Sequence, residues 1–268
     1  MTSSALRLAI IIPARYGSKR VPAKPMAMIA GRSLLHRVWG MCQSISNVAG
    51  VWVATDDERV ADHARSFGAQ VVMTPVDCQN GTERTAAALT ALGSGIDAAV
   101  NVQGDAVLTP PWVVQALVDA MHADDISPMV TPAVCLDRAR WLEFIESKKQ
   151  APSSGTTVVC DAQGRALYFS KTVLPFVREP DVFFPKIMRH IGLYGYRREA
   201  LMRLAALPMS ALERSESLEQ LRALEAGIPI RVVEVDYRGR THWSIDNPED
   251  IGIVEAIIAR EGELIPHA

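Results

Sequence analysis

The chain has 268 residues, 49 % of them hydrophobic, which is enough to bury the core of one large domain or of one domain with an excursion. Its 28 cations and 30 anions give a formal net charge of −2, which does not indicate a nucleic-acid or membrane surface. The four cysteines are scattered without a C-x-x-C pair, so they predict neither a zinc site nor a disulfide framework and favour a reduced, cytoplasmic setting. No apolar run approaches the roughly 18 residues of a membrane span.

The first predicted element is an apolar, β-branched strand that ends at Pro13 and leads into a basic loop. The loop carries Gly17 and Ser18 together with the cations Arg15, Lys19, Arg20 and Lys24. A strand, a basic glycine-containing loop and a helix in this order bind phosphate groups in α/β folds. Neither a Walker A nor a G-x-G-x-x-G pattern is present, and an ordinary solvated basic loop is the alternative.

Strands and helices then alternate along the first half of the chain. The pattern predicts a helix over 33–43, a strand over 50–55, a helix that ends near Gly68, and a strand over 70–73. Thr82 is a predicted cap for a helix over 83–92, after a turn at Gly81. This alternation predicts a parallel sheet with right-handed crossovers.

Asp105 follows a predicted strand over 98–102, directly after a glycine. A carboxylate at the carboxyl end of a central strand lies where α/β sheets bind their ligands. Mg²⁺ prefers hard oxygen ligands that it shares with substrate phosphates. Asp105 is therefore a candidate Mg²⁺ ligand, and a turn aspartate that caps the next helix, near 112–121, is the alternative.

In the second half of the chain, the regular alternation of predicted strands and helices ends. A strand over 129–134 and a helix over 138–149 precede a break at 152–155 and a hairpin of strands 156–160 and 166–170. These consecutive strands predict an antiparallel excursion, with a plain surface hairpin as the alternative. A polar run over 189–197, an amphipathic helix over 216–224, a strand over 230–235 and a helix from near Pro248 to about Arg260 follow.

Several motifs, in order and spread over residues 10–258, resemble the sugar-acid cytidylyltransferases, most closely the 3-deoxy-manno-octulosonate (KDO) cytidylyltransferase family. They are Ile12-Pro13-Ala14-Arg15-Tyr16-Gly17-Ser18-Lys19-Arg20 with Lys24-Pro25, Gly81-Thr82-Glu83-Arg84, Asn101-Val102-Gln103-Gly104-Asp105, the run 189–197, Leu218-Glu219-Gln220-Leu221-Arg222, and Asp246-Asn247-Pro248-Glu249-Asp250. The resemblance implies one three-layer α/β/α, Rossmann-like nucleotidyltransferase domain over 1–268 with a mostly parallel sheet. It also implies a small antiparallel arm over about 151–200 for homodimer formation and acceptor binding.

The resemblance further implies which residues act. The nucleotide-binding residues would be Pro13, Ala14, Arg15, Gly17, Ser18, Lys19, Arg20, Lys24, Thr55, Gly81, Thr82, Arg84 and Gln103. The acceptor-binding residues would be Gln103, Lys171, Arg189, His190, Tyr194, Tyr196, Glu219 and Gln220. Asp105 and Asp246 would bind Mg²⁺ and, with Arg15 and Lys19, would be catalytic. On the residues alone, a structural histidine at 190, a solvated helix face at 219–220 and a helix cap at Asp246 are the alternatives.

The implied reaction is transfer of CMP from CTP to an acidic acceptor with release of pyrophosphate. Two positions depart from the family pattern: Ala106 replaces an acidic residue after Gly-Asp, and Lys171 replaces an arginine that can bind a carboxylate through two parallel hydrogen bonds. A KDO-like 2-keto sugar acid is the favoured acceptor. A different ulosonic acid, a phosphonate such as phosphonoformate, and an inactive nucleotide-binding protein are the alternatives.

Overall fold

The structure, a computed structural model, describes residues 6–17, 21–123 and 126–265. The strands are β1 (Leu8–Pro13), β2 (Met28–Ile29), β3 (Arg32–Ser33), β4 (Gly50–Thr55), β5 (Gln70–Met73), β6 (Ala98–Asn101), β7 (Met129–Leu136), β8 (Thr156–Cys160), β9 (Ala166–Ser170), β10 (Ile187–His190), β11 (Tyr194–Arg197) and β12 (Ile230–Val235). The helices are α1 (Leu34–Cys42), α2 (Glu58–Ser66), α3 (Gly81–Ala91), α4 (Pro111–Ala123), α5 (Arg138–Gln150), α6 (Arg198–Ala205), α7 (Ala211–Glu216), α8 (Gln220–Glu225) and α9 (Glu249–Glu261), with a 3₁₀ turn at Lys24–Met26.

The main sheet has parallel strands in the order β5-β4-β1-β6, followed by β11, which runs antiparallel to both β6 and β7. On its other side β7 pairs in parallel with β12. The central strand β1 is buried on both faces: Ile10 and Ile12 pack into one core and Ala9 and Ile11 into the other. Burial on both faces is what a continuous apolar strand in a parallel sheet requires.

The excursion is built on the second half of β7, which pairs with β10 in antiparallel orientation. The hairpin of β8 and β9 continues the sheet beyond β10. The sheet curves until the turn of that hairpin meets β12, where the Val232 N–H donates to the Gly164 carbonyl at 2.8 Å. A small third core of Leu136, Trp141, Phe144 and Ile187 packs α5 against this curved part.

The predicted α/β architecture with a mostly parallel arrangement around β1 is confirmed, and so is the antiparallel excursion. Two local predictions are wrong. Asn80, rather than Thr82, caps α3 by accepting from the Glu83 N–H at 2.8 Å. The predicted helix over 216–224 is not continuous: α7 ends at Glu216, Ser217 adopts a left-handed conformation with φ of 52°, and α8 begins only at Gln220. No helix among the described residues is both long and apolar enough to span a membrane.

Candidate active site

A cavity of about 620 Å³ opens where β1 and β6 end. Its walls come from the end of β1, the 3₁₀ turn, the start of α3, the turn after β6 and the segment before α9. The lining residues are Pro13, Ala14, Arg15, Lys24, Pro25, Cys78, Gln79, Asn80, Gly81, Arg84, Gln103, Gly104, Asp105 and Asp246. Both predicted Mg²⁺ ligands and the predicted basic residues Arg15 and Lys24 therefore share one cavity.

Two glycines let these walls approach each other. A Cβ on Gly104 would lie 2.9 Å from the Pro13 carbonyl oxygen, so only glycine allows this backbone contact. A Cβ on Gly81 would lie 3.2 Å from the Gln103 Oε1 atom. The start of α3, the end of β1 and the turn that carries Asp105 are thus in direct contact at the cavity floor.

Lys24 and Asp105 form an ion pair across the cavity, with 2.7 Å between the Lys24 Nζ and Asp105 Oδ2 atoms. Both side chains are partly exposed. A cation that is already beside the carboxylate is well placed to bind the phosphate oxygens of a nucleotide that enters the cavity. The 3₁₀ turn starts at Lys24, with Pro25 at its second position, and this fixes the base of the lysine side chain.

Asp246 lies in a turn that Asp250 holds. The Asp250 Oδ2 atom accepts from the N–H groups of Asp246 and Asn247, at 2.8 and 2.7 Å, and Oδ1 accepts from Trp243 Nε1 at 3.0 Å. Burial acts to raise the pKa of Asp250, but these hydrogen bonds and the nearby Lys24 outweigh it and lower the pKa. The helix cap is Pro248, so the Asp246 side chain is not the cap and remains on the cavity wall.

Arg84 is 3 % exposed, and its guanidinium spans two elements near the cavity. It donates to Thr74 Oγ1 at 2.6 Å, and its Nη2 atom lies 3.3 Å from the Asp56 carboxylate. Asp56 therefore holds a predicted nucleotide-binding residue, a role that the sequence did not suggest because the two are far apart in the chain.

The other predicted nucleotide-binding residues have different positions. Thr55 is fully buried, and its carbonyl accepts from the Thr74 N–H at 2.8 Å, so it joins β4 to the segment after β5. Thr82 Oγ1 lies 3.5 Å from the Tyr196 hydroxyl, away from the cavity wall. Gly17 is exposed and has no atom within 4 Å of a built Cβ. The predictions for Ser18, Lys19 and Arg20 lie outside the described residues.

His190 is a buried hydrogen-bonded histidine. Its Nε2 atom is 2.9 Å from Thr131 Oγ1. The Thr131 hydroxyl donates its one hydrogen to the Leu193 carbonyl at 2.7 Å, so it can only accept from His190. His190 Nε2 must therefore be the donor. Burial, with a smaller contribution from His242, lowers the pKa of His190 to about 3. Its ring packs edge-on against Phe169, so at neutral pH it is an uncharged group in a packed setting.

Polar side chains line the sheet face next to Thr82. The rings of Tyr194 and Tyr196 lie 5.9 Å apart, and burial raises the pKa of both. Burial also raises the pKa of Glu219, although a hydrogen bond from Thr82 acts against it. Gln220 is buried, and its Nε2 atom has no hydrogen-bond partner among the described residues.

Asn101 is a residue of this region to which the sequence assigned no role. It is fully buried opposite Tyr194 in the β6–β11 pair, and neither end of its amide has a partner within the described part of the chain. Leaving such a group unpaired costs about 1–3 kcal/mol, so the amide is available to a ligand hydroxyl or a water molecule.

Lys171 and Arg189 lie in the excursion. The Lys171 N–H donates to Glu216 at 2.9 Å, and the Ser170 hydroxyl donates to the same carboxylate at 2.7 Å. The Arg189 guanidinium lies 5.1 Å from the centre of the Phe144 ring, and burial lowers its pKa. The predicted acceptor-binding residues therefore occupy the curved sheet and the face beside it, while Gln103 lines the cavity itself.

A family model described as cytidylyltransferase matches residues 9–231. The chain belongs to the cytidylyltransferase family. It is 51 % identical over 255 residues to the 3-deoxy-manno-octulosonate cytidylyltransferase of Maricaulis maris, covering 95 % of this chain and 98 % of that protein. Identity to the protein of the same name from Escherichia coli is 36 % over 252 residues, covering 94 % and 96 % of the two chains.

A solved structure named as CMP:2-keto-3-deoxy-manno-octonic acid synthetase complexed with CTP is similar to this fold. It superposes with a TM-score of 0.83 at 34 % identity, covering 95 % of this chain and 99 % of that one. The family resemblance of the motifs is thereby confirmed, and so is the expectation that the chain is a CTP-dependent nucleotidyltransferase.

Proposed function

We propose that this enzyme transfers CMP from CTP to a KDO-like 2-keto sugar acid and releases pyrophosphate. The relatives at 51 % and 36 % identity carry the name of that reaction. The observation that carries the proposal is the single cavity in which Arg15, Lys24, Asp105 and Asp246 meet beside the α3 N-terminus. Two cations, two carboxylates and a helix start in one cavity are what an enzyme that binds a metal-complexed triphosphate needs.

Repulsion between two anionic reactants is the main obstacle to this reaction. Two like charges 4 Å apart repel by about 4 kcal/mol at an effective dielectric constant of 20. Arg15 and Lys24, with the predicted Lys19 and Arg20, would bind the triphosphate oxygens and offset that repulsion. A hydroxyl oxygen of the acceptor then attacks the α-phosphorus, the bond from that phosphorus to the bridging oxygen breaks, and the hydroxyl proton passes to solvent.

The donor set fits Mg²⁺, which is part of this proposal. Asp105 and Asp246 supply hard carboxylate oxygens to the same cavity, from two of its walls. Within the described ranges, no group of three or more His, Cys, Asp or Glu side chains could hold a metal, so phosphate and water oxygens would complete the coordination. When bound, Mg²⁺ supplies positive charge at the phosphate that is attacked.

The acceptor would lie towards the curved sheet. Lys171 and Arg189 would attract its carboxylate, and Glu219 and Gln220 would bind its hydroxyls. A different small acid is the second candidate, because Ala106 and Lys171 depart from the family pattern.

The excursion would also serve a homodimer. Its loop exposes Phe176, Val182 and Phe183, each at least 71 % accessible. Exposed apolar patches are typical of protein interfaces, and three exposed apolar side chains in one loop support this proposal. A cytoplasmic setting is proposed as well, supported by the absence of a disulfide among the four cysteines, all of which are described.

Initial rates of pyrophosphate release test the function. Wild-type protein is assayed with CTP and Mg²⁺ on KDO, an amino-KDO, a nonulosonic acid and phosphonoformate, and with ATP in place of CTP. We expect KDO with CTP to give the highest rate. A reaction with a neutral sugar phosphate, and with no acid in the panel, would contradict the proposal.

A further inference from the structure

Lys148 on α5 lies beside Arg189, although the two are 41 positions apart in the chain. Its Nζ atom is 5.2 Å from the centre of the Phe144 ring, and the Arg189 guanidinium is 5.1 Å from the same centre. Lys148 donates to the carbonyls of Gly155 and Pro152 at 2.8 and 3.3 Å. A Cβ built on Gly155 would lie 3.8 Å from Arg189 Nε, so both cations border the same turn.

Positive charges outnumber negative charges around this turn. Burial lowers the pKa of Lys148, and repulsion from Arg189 and Lys171 lowers it further, with Glu216 acting in the opposite direction. Glu216 already accepts from the Ser170 hydroxyl and the Lys171 N–H. In the part of the chain that is described, Lys148, Arg189 and Lys171 form no salt bridge with any carboxylate. The three half-buried cations therefore repel each other, Glu216 offsets only part of that repulsion, and a bound anion would offset more of it.

Lys148 has one hydrogen-bond donor left for such an anion. A lysine ammonium has three donors, and the two carbonyls of the turn use two of them. Lys171 alone is a point charge on a flexible stem, without the planar fork that makes arginine a bidentate carboxylate ligand. A second ammonium from α5 can supply the contact that the fork would have made.

We propose that Lys148 binds the carboxylate of the acceptor together with Arg189 and Lys171, and that it determines how strongly this enzyme prefers acidic acceptors. The proposal rests on the proposed function. It adds Lys148, which lies outside all of the motifs that resemble the family. Among the described residues, the side-chain hydrogen bonds of Lys148 go to the two carbonyls of its turn, so the experiment must separate anion binding from support of that turn.

The test measures initial rates at saturating CTP and Mg²⁺ with KDO varied, and then with CTP varied, in Lys148→Gln and Lys148→Arg. Lys149→Gln is the matched control, since Lys149 is the exposed next residue and pairs with Glu146 on the same helix. We expect Lys148→Gln to raise the KM for KDO about tenfold or more, with the KM for CTP unchanged. Lys148→Arg should restore most of the KDO affinity, and Lys149→Gln should behave as wild type.

An unchanged KM for KDO in Lys148→Gln would overturn the proposal. It would also be overturned if Lys148→Gln raised both KM values equally and lowered the melting temperature, because Lys148 would then act only by supporting the 152–155 turn. Wild-type protein that turns over no acid at all would overturn the proposed function, and this inference with it, before any variant is compared.

Discussion

Gly104→Ala tests whether the backbone contact at the cavity floor matters for catalysis. The added Cβ would lie 2.9 Å from the Pro13 carbonyl oxygen, whereas ordinary contacts begin near 3.4 Å. The end of β1 and the turn that carries Asp105 must therefore separate by about 0.5 Å. A 1 Å misplacement of catalytic groups can cost about 10²-fold, so we expect kcat/KM to fall roughly 10- to 100-fold. Overpacking at the same contact should lower the free energy of unfolding by about 1–3 kcal/mol.

The assay is steady-state pyrophosphate release with CTP and KDO, paired with urea unfolding. Gly252→Ala is the control, because Gly252 lies exposed in α9 and a Cβ built there meets nothing within 4 Å. The control should keep wild-type activity and gain roughly 0.5–1 kcal/mol of stability, as alanine is the better helix residue. A folded Gly104→Ala enzyme with wild-type kcat/KM would show that this close backbone contact is not needed for catalysis.

Three further changes have defined outcomes. Arg84→Lys should raise the KM for CTP about tenfold, because one amine cannot contact Thr74 and the Asp56 carboxylate as the guanidinium does; a CTP titration checks this. His190 has a folded pKa of about 3, below the unfolded value, so its contribution to stability is full above pH 6.5 and decreases as pH falls. Urea unfolding at pH 7 and pH 5 measures this effect. Between these pH values, the free energy of unfolding should fall by about 2 kcal/mol more in wild type than in His190→Asn. Ser210→Ala removes the capping box at α7 and should cost about 1 kcal/mol in urea unfolding with kcat unchanged.

Most strands could be predicted from the sequence because their side chains and turns are local signals. The segments 50–55, 70–73, 156–160, 166–170 and 230–235 coincide with β4, β5, β8, β9 and β12. Each is a short run with β-branched or aromatic residues bounded by turn residues, a pattern that depends little on the rest of the fold. The register that brings β11 between β6 and β7 could not be predicted, since it depends on contacts between distant segments.

The helix over 216–224 shows why periodicity alone can mislead. Leu218, Leu221 and Leu224 repeat at three-residue spacing, and this indicates one continuous helix. The structure instead ends α7 at Glu216 and turns the chain at Ser217, so Leu218 precedes the start of α8. The inward packing of the leucines is compatible with both arrangements, and only the backbone conformation at Ser217 separates them.

In the candidate site, the motifs predicted which segments meet but not how they are held together. Arg15, Lys24 and Asp105 could be proposed because these charged groups follow predicted strands, and Asp246 because its motif resembles that of the family. The supporting contacts of Asp56 with Arg84 and of Asp250 with the turn before it join segments whose proximity only the fold creates. The same holds for Lys148, which the sequence alone places in a predicted helix with no sign of a functional role.

The proposed metal site is tested most directly by magnesium-dependent turnover of CTP and KDO in Asp105→Asn and Asp246→Asn. Asp62→Asn is the matched control, since Asp62 is an exposed carboxylate on α2 that pairs with Arg65. Loss of one charged ligand should reduce kcat on the order of 10²-fold or more in each variant at saturating Mg²⁺, while the unfolding transition stays near that of wild type. Near-wild-type turnover in either cavity variant would contradict the assignment of that aspartate to the metal-binding site.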